Sequence, residues 1–412
     1  MKKILAMLLA LAMVFALVAC GNPGTEQPSG NPDPGKPSES TPADPGKPSE
    51  PAAPTYEDMG TIMWLSNLSS GAQYDAGYNY LEALCKALGY EFTVVYGDGF
   101  NDAAGNLNAV TNGMSDDVVG LIASQDGGLA AIMEEYPDLW VAGYNTDMVS
   151  VYGGGENAAC LDNPKFLGAI ADGFVSGWDM GASYAEKVIA NGWKKIAIIN
   201  FPAFAYPNQA EADAAVRSII EEHNKTASEP IEIVGETTTL MFEPLPDSWF
   251  LEEGRNDLDA IVALCAGQLF VYPTMISAKA NGTCAADTKM ITGGFEADPS
   301  LTADVGEGRT IASLQISPME ACAYALVLID NAVTGNQFAD HSNACVDSGS
   351  YVIDSIQNID DVMSKTLLGT ADPALAQLTV EQVVALCGRS NPNNTLAGLL
   401  EAIQTLTPDT LK

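Results

Sequence analysis

Residues 61–96 read TIMWLSNLSSGAQYDAGYNYLEALCKALGYEFTVVY, and this stretch decides the fold. Two apolar runs of strand length, Thr61 to Ser66 and Glu91 to Tyr96, bracket a segment from Gln73 to Leu88 whose apolar residues recur at helical spacing. A helix between two strands makes a tight hairpin impossible, so the chain crosses over and the strands pair in parallel. The same alternation runs outward from this unit. Strands are predicted at Val118 to Ser124, Leu139 to Tyr144, Phe166 to Ala171, Lys195 to Asn200, Ile231 to Glu236, Leu258 to Ala263, Met290 to Gly293 and Thr310 to Ile316. Helical periodicity occupies Trp178 to Ala190, Gln209 to His223 and Met319 to Val333. These are too many strands for one compact sheet at this spacing. Two parallel sheets of about five strands each, covered by helices on both faces, are expected.

The ends differ from this middle. Lys2 and Lys3 precede an apolar run from Ile4 to Val18, then Leu17-Val18-Ala19-Cys20 and Gly21. The run falls short of the roughly 20 apolar residues that span a bilayer, so residues 1–20 read as a cleavable secretory signal. Leu17 to Cys20 resembles the lipobox of bacterial lipoproteins, which implies a diacylated Cys20 as the mature N-terminus and lasting membrane attachment. Residues 21–58 are almost all Pro, Gly, Ser, Thr, Asp, Glu and Lys, with DPGKPSE at 33–39 and again at 44–50. Such a segment has no apolar face with which to offset its ordering entropy, so a disordered stalk is expected. At about 3.1 Å per residue it reaches roughly 100 Å or less.

Formal net charge is −35, which argues against nucleic acid or anionic lipid surfaces as partners, since all would repel the chain. Apart from Cys20, seven cysteines remain (Cys85, Cys160, Cys265, Cys284, Cys322, Cys345 and Cys387), an odd number with no CxxC, indicating neither a disulfide framework nor a zinc knuckle. Small buried hydrophobes are the expectation for most. No nucleophile elbow, phosphate loop or complete dinucleotide fingerprint is present, and the histidines are two, His223 and His341. No enzyme activity, cofactor or metal is therefore expected.

The order of short motifs resembles the type 1 periplasmic binding proteins, sugar-binding members above all. They are Thr61 to Ser66 with the Gln73-Tyr74 pair and Gly89-Tyr90; Ser115 to Ile122; Leu139 to Asp147; Ala171-Asp172 with Gly177 and Gly181; Gly192-Trp193-Lys194-Lys195-Ile196-Ala197-Ile198-Ile199; Gly294-Phe295-Glu296; and Ile311 to Pro318 with Gln315. The resemblance covers roughly Thr61 to Tyr351. It implies an α/β fold of two Rossmann-like lobes with parallel sheets, joined by a three-strand hinge, that closes on a ligand and delivers it to an ABC permease. One lobe is expected at 59–168 and 318–342, the other at 169–317 and 343–365. Residues 366–412 continue past the family's usual end as a helical extension. Thr379 with Gln382 forms a capping-box pattern there, Asn394 precedes a second helix at Thr395 to Leu406, and packing on the second lobe is expected.

Ligands of open α/β sheets bind beyond the carboxyl ends of the strands. The candidate binding residues there are Asn67, Tyr74, Asp98, Asp126, Asn145, Asp147, Asp172, Phe204, Tyr206, Glu296 and Gln315. They combine planar hydrogen-bonding groups with aromatic faces, the pair of features a sugar requires. One departure stands out. Glu211 occupies the position where the resembled sugar binders carry arginine, and Arg217 lies too far along the helix to replace it. An anionic ligand is disfavoured; a neutral sugar, polyol or nucleoside, or a cationic amine, remains open. The expectation is a monomeric solute-binding lipoprotein on the extracytoplasmic face of the cell membrane, in a single-membrane bacterium, serving an ABC importer. A surface ligand sensor and a nucleoside-binding lipoprotein are the alternatives.

Overall fold

The computed structural model describes residues 56–97, 102–146, 148, 157–171, 173, 175–203, 206–293, 310–354 and 363–406. Two sheets are present. The first has six strands in the order β12-β5-β4-β3-β1-β2, built from β1 (Thr61–Ser66), β2 (Glu91–Tyr96), β3 (Val118–Ala123), β4 (Trp140–Tyr144), β5 (Phe166–Ile170) and β12 (Cys345–Val346). The second has seven, β13-β11-β10-β9-β6-β7 with β8 also on β6. Its strands are β6 (Lys195–Asn200), β7 (Glu232–Ile233), β8 (Thr238–Thr239), β9 (Ala260–Ala263), β10 (Lys289–Gly293), β11 (Ile311–Ile316) and β13 (Tyr351–Asp354). Every pairing is parallel except β11 with β13.

Helices α1 (Ala72–Ala87), α2 (Ala103–Gly113) and α3 (Leu129–Glu135) belong to the first lobe. Helices α4 (Gly177–Ala190), α5 (Pro207–Asn224), α6 (Gly267–Phe270) and α7 (Tyr272–Asn281) belong to the second, and α8 (Cys322–Val333) returns to the first. None of the described helices is long and apolar enough to cross a membrane. Ile62, Trp64, Leu81, Leu84 and Ile122 pack one face of the first sheet, and Met63, Leu65, Leu121 and Val141 the other. This is the alternation that a sheet covered on both faces requires.

The helix pair α4–α5 depends on two small residues. A Cβ at Gly177 would sit 2.2 Å from the carbonyl oxygen of Asn208, and one at Gly181 2.2 Å from that of Ala212. Four residues apart, they share one face of α4 and let the two backbones touch. Gly181→Val is expected to force the helices apart and cost about 1–3 kcal/mol, read as a lower urea midpoint at unchanged slope.

The chain passes between the lobes three times, between β5 and α4, between β11 and α8, and between β12 and β13. β5 lies wholly in the first sheet and Ala171 N–H donates to Val346 O (2.8 Å), so the first passage begins after 171 rather than at 168. β12 likewise stays with the first sheet although its neighbour β13 joins the second. Ser348, fully buried, ties all three passages together: its hydroxyl accepts from Gly173 N–H (2.9 Å) and donates to Ser317 Oγ (3.1 Å), while its own N–H donates to Gly173 O (3.2 Å).

The helical extension packs on the first lobe, contrary to the expectation of the second. The reason lies in α8, whose sequence CAYALVLIDNAV offers no continuous polar face and is buried nearly throughout. A helix apolar all round needs cover on its outer side as well. Helices α9 (Val380–Leu386) and α10 (Leu396–Gln404) supply it through Val383, Leu396, Leu399 and Ile403. The capping box at Thr379 and Gln382 forms as expected. Thr395, rather than Asn394, caps α10, while Asn394 Nδ2 donates to the carbonyls of Ala385 and Cys387 that end α9.

Candidate ligand-binding cleft

The short passages fix where a cleft must lie. β5 leaves the first sheet from its carboxyl end, and β11 leaves the second from its own, with only Ser317 and Pro318 before Met319 packs in the first-lobe core. Two residues reach less than about 10 Å, so the carboxyl edges of the two sheets are brought together. The described residues that follow the strands therefore lie on the side where open α/β sheets bind their ligands.

The first wall is aromatic. Tyr74, in the first turn of α1, stacks on Trp64 of β1 (centroids 5.8 Å apart, planes 10° apart), lies 6.0 Å from Tyr96 at the end of β2, and shares a 2.5 Å hydroxyl contact with it. Partial burial, then the bond to Tyr96, pushes the Tyr74 phenol above its ordinary pKa. Trp64 is held in turn by its indole N–H on Ser124 Oγ (2.9 Å). Tyr74 therefore leans on the core, while Tyr96 is left 40% exposed at the strand end. Beside it, Asn67 follows β1 half-buried. Asp126, after β3, is buried and accepts from Thr146 Oγ1 (2.9 Å), joining the ends of β3 and β4. Asn145 sits between them in the left-handed region (φ 59°) with its Oδ1 buried and unpaired among the described residues. A backbone held there by an asparagine marks a constrained loop end.

The second wall is aromatic too. Phe201 follows β6, and Tyr206, Phe242 and Phe270 have their ring centroids within 5.0–5.4 Å of it. Tyr206 and Phe242 lie 6.2 Å apart. Phe242 has φ 61°, a strained backbone for so bulky a residue, and outliers of this kind concentrate at functional sites. Gln315 is buried on β11, and its Nε2 donates to Ser183 Oγ of α4 (2.9 Å), so it braces the second lobe from within.

Of the sequence candidates, Asn67, Tyr74, Asp126 and Asn145 thus meet at the first edge, and Tyr206 and Gln315 at the second. Asp98, Asp147, Asp172, Phe204, Glu296 and Cys20 lie outside the described residues. Trp64, Tyr96, Phe201, Phe242 and Phe270, which contact Tyr74 or Tyr206 or one another there, are not among the sequence candidates. Tyr96 and Phe201 had a usable signal, since each closes or follows a predicted strand; Phe242 follows the two-residue β8 and Phe270 ends the short α6, which carry none.

Charge is distributed unevenly. Lys194 and Lys195 open β6, Lys289 opens β10, and Lys165 and Arg255 precede β5 and β9, all at amino ends. Among the described residues no Lys or Arg directly follows a strand at the carboxyl edge. Arg217 is engaged elsewhere, its Nε on Asp213 (2.9 Å) and its NH2 on Thr237 Oγ1 (2.7 Å). Six of the seven remaining cysteines are buried as free thiols, and burial raises them, Cys160 to about 11 and Cys265 to about 12. They are packing groups rather than nucleophiles.

Two lobes with parallel sheets, three adjacent passages and facing carboxyl edges are the fold of the type 1 periplasmic binding proteins. Solved structures agree. A glucose-galactose binding protein from Geobacillus stearothermophilus aligns with a TM-score of 0.51 at 14% identity, over 72% of this chain and 97% of its own. An ABC transporter solute-binding protein from Burkholderia graminis, in complex with D-arabinose, gives 0.52 at 16%, over 74% and 96%. One from Agrobacterium vitis, bound with α-D-tagatopyranose, gives 0.52 at 15%, over 78% and 99%. No family model and no curated sequence matches the chain.

Proposed function

We propose that this chain is a solute-binding lipoprotein that captures a small neutral sugar or polyol between its lobes and hands it to an ABC importer. The observation that carries the reading is the pair of aromatic walls, Trp64-Tyr74-Tyr96 and Phe201-Tyr206-Phe242-Phe270, at the carboxyl edges of the two sheets, with no cation beside either among the described residues. Aromatic faces suit the C–H surfaces of a sugar ring, and Asn67 and Asn145 suit its hydroxyls. An anionic ligand would meet buried Asp126 and, among the described residues, no compensating charge. The sugars bound by solved proteins of this fold support the same ligand class. The signal-like segment ending at Cys20 and the Pro/Gly/Ser-rich stretch behind it support a lipid tether on the extracytoplasmic face of the membrane.

A thermal-shift screen of neutral pentoses, hexoses, inositols, nucleosides and sugar phosphates tests this. A neutral sugar or polyol at 100 times its dissociation constant is expected to add about 2.7 kcal/mol of stability, and sugar phosphates none. Stabilisation by nucleosides alone, or by no neutral compound at millimolar concentration, would remove the sugar reading.

A further inference from the structure

The extension does more than cover α8, because it also makes a fourth passage between the lobes. After β13 in the second sheet the chain returns to the first lobe, and neighbouring residues then divide between the two cores. Leu367 is buried in the first-lobe core with Ala376 and Leu378, while Met363 and Leu368 pack against the second-lobe cluster of Phe201, Leu245, Phe250 and Ile316. At its far end the extension meets the hinge. Gln404 Nε2, on the last turn of α10, donates to Asp347 O (2.8 Å). The same residue's Cα lies 3.3 Å from where a Cβ on Gly349 would stand. Gly349 has φ 73°, in the left-handed region that glycine tolerates best. The Asp347 carboxylate in turn accepts from Val175 N–H (2.5 Å) in the first passage.

Between these ends the extension is fixed firmly to the first lobe. Tyr80 donates to Leu378 O, Gln377 N–H to buried Glu320 just past the second passage, and Asp340 accepts from Leu396 and Ala397 N–H at the start of α10. One segment is thus anchored on the first lobe, inserted at one end into the second, and pressed at the other against the residues whose torsions must change if the lobes rotate.

We infer that residues 363–406 act as a strap that fixes the hinge angle of the ligand-free protein. The strap holds the lobes through Leu368 on one side and Asp347–Gly349 on the other, so it limits how far the cleft opens and closes without touching the ligand. This inference rests on the hinge geometry and not on the identity of the ligand.

Hydrogen exchange of the ligand-free protein tests it with two variants at half-buried or exposed positions, Gln404→Ala and Leu368→Ala, neither of which leaves a buried polar group unpaired. Both are expected to speed exchange of the amides of Ala171, Gly173 and Ser348 at least threefold, with β1 and β9 amides unchanged. The double variant is expected to exceed either single one. Unchanged exchange at the three passages would overturn the strap. So would acceleration spread evenly over the first lobe, since that is the result expected of a purely structural cover.

Discussion

Replacing Arg389 with methionine is expected to destabilise the folded chain by about 3–5 kcal/mol, because it removes one partner of a buried ion pair and leaves the other. Arg389 NH2 lies 2.8 Å from Asp330 Oδ1, with side-chain exposures of 8% and 0%, and also donates to Leu88 O (2.8 Å). Its guanidinium covers the ring of Tyr56 at 3.7 Å. One residue of the extension therefore holds α8, the end of α1 and the point where the chain enters the first lobe. Burial already raises the Asp330 carboxyl above its ordinary pKa, opposed by Arg389 and by the hydroxyl of Tyr90 at 3.0 Å. Without the arginine the carboxyl rises further above its unfolded value. The folded state then holds a proton that the unfolded state releases. The deficit should accordingly grow as pH rises from the raised value of the parent's Asp330 to the still higher one of the variant, and level off above it. Urea titrations at pH 4 and pH 7 read this directly. Arg389→Met with Asp330→Asn is expected to recover part of the loss, since the stranded charge is gone. Equal loss at both pH values would mean that packing on Tyr56, and not charge, is what the arginine contributes.

That ion pair also shows where sequence reasoning stops. The βαβ rhythm identified β1 to β6 and β9 to β11 nearly to the residue, because each is an apolar run longer than three residues bounded by turns. β7 shrinks to two residues, and β8 and β12 carry two each, too few to give any period. The extension's helices were legible from their caps, yet their partner was not. The sequence did hold the clue, in the missing polar face of α8. A helix whose only polar residues near its end are Asp330 and Asn331, both buried, needs a partner that supplies a cation and a donor. Arg389 and Gly388 N–H are those groups, the latter 2.7 Å from Asn331 Oδ1. Reading that pairing requires knowing which segment returns to α8, which depends on long-range topology and not on local pattern.

The site was legible as an edge but not as a surface. Parallel strands put their carboxyl ends at one side, so counting strands alone puts Asn67, Asp126, Asn145 and Tyr206 beyond strand ends, and that is where they lie. Whether a side chain faces ligand or core is decided by its neighbours. Gln315 is spent on Ser183 and Asp126 on Thr146, while Tyr74 divides itself between Trp64 and Tyr96. No spacing rule distinguishes these outcomes.

The ligand-facing role proposed for the two aromatic walls leads to the second large effect. Tyr74→Ala and Phe242→Ala are each expected to raise the dissociation constant of the stabilising sugar about tenfold, the loss of one aromatic face being worth about 1.4 kcal/mol. They lie on opposite lobes and do not touch, so the double variant should lose about 100-fold. Phe242 permits a sharper separation of ligand contact from core packing. Its φ of 61° costs a bulky side chain about 1–2 kcal/mol that glycine does not lose. Phe242→Gly removes the ring and its contacts with Phe201 and Tyr206, but it also releases that strain. Its stability is therefore expected to lie within about 1 kcal/mol of the parent, and above that of Phe242→Ala. Its affinity should be as poor as that of the alanine variant. Calorimetric titration alongside urea unfolding measures both quantities on the same samples. If the glycine variant bound sugar normally, the strained phenylalanine would belong to the core of the second lobe and the wall would be Phe201, Tyr206 and Phe270 alone.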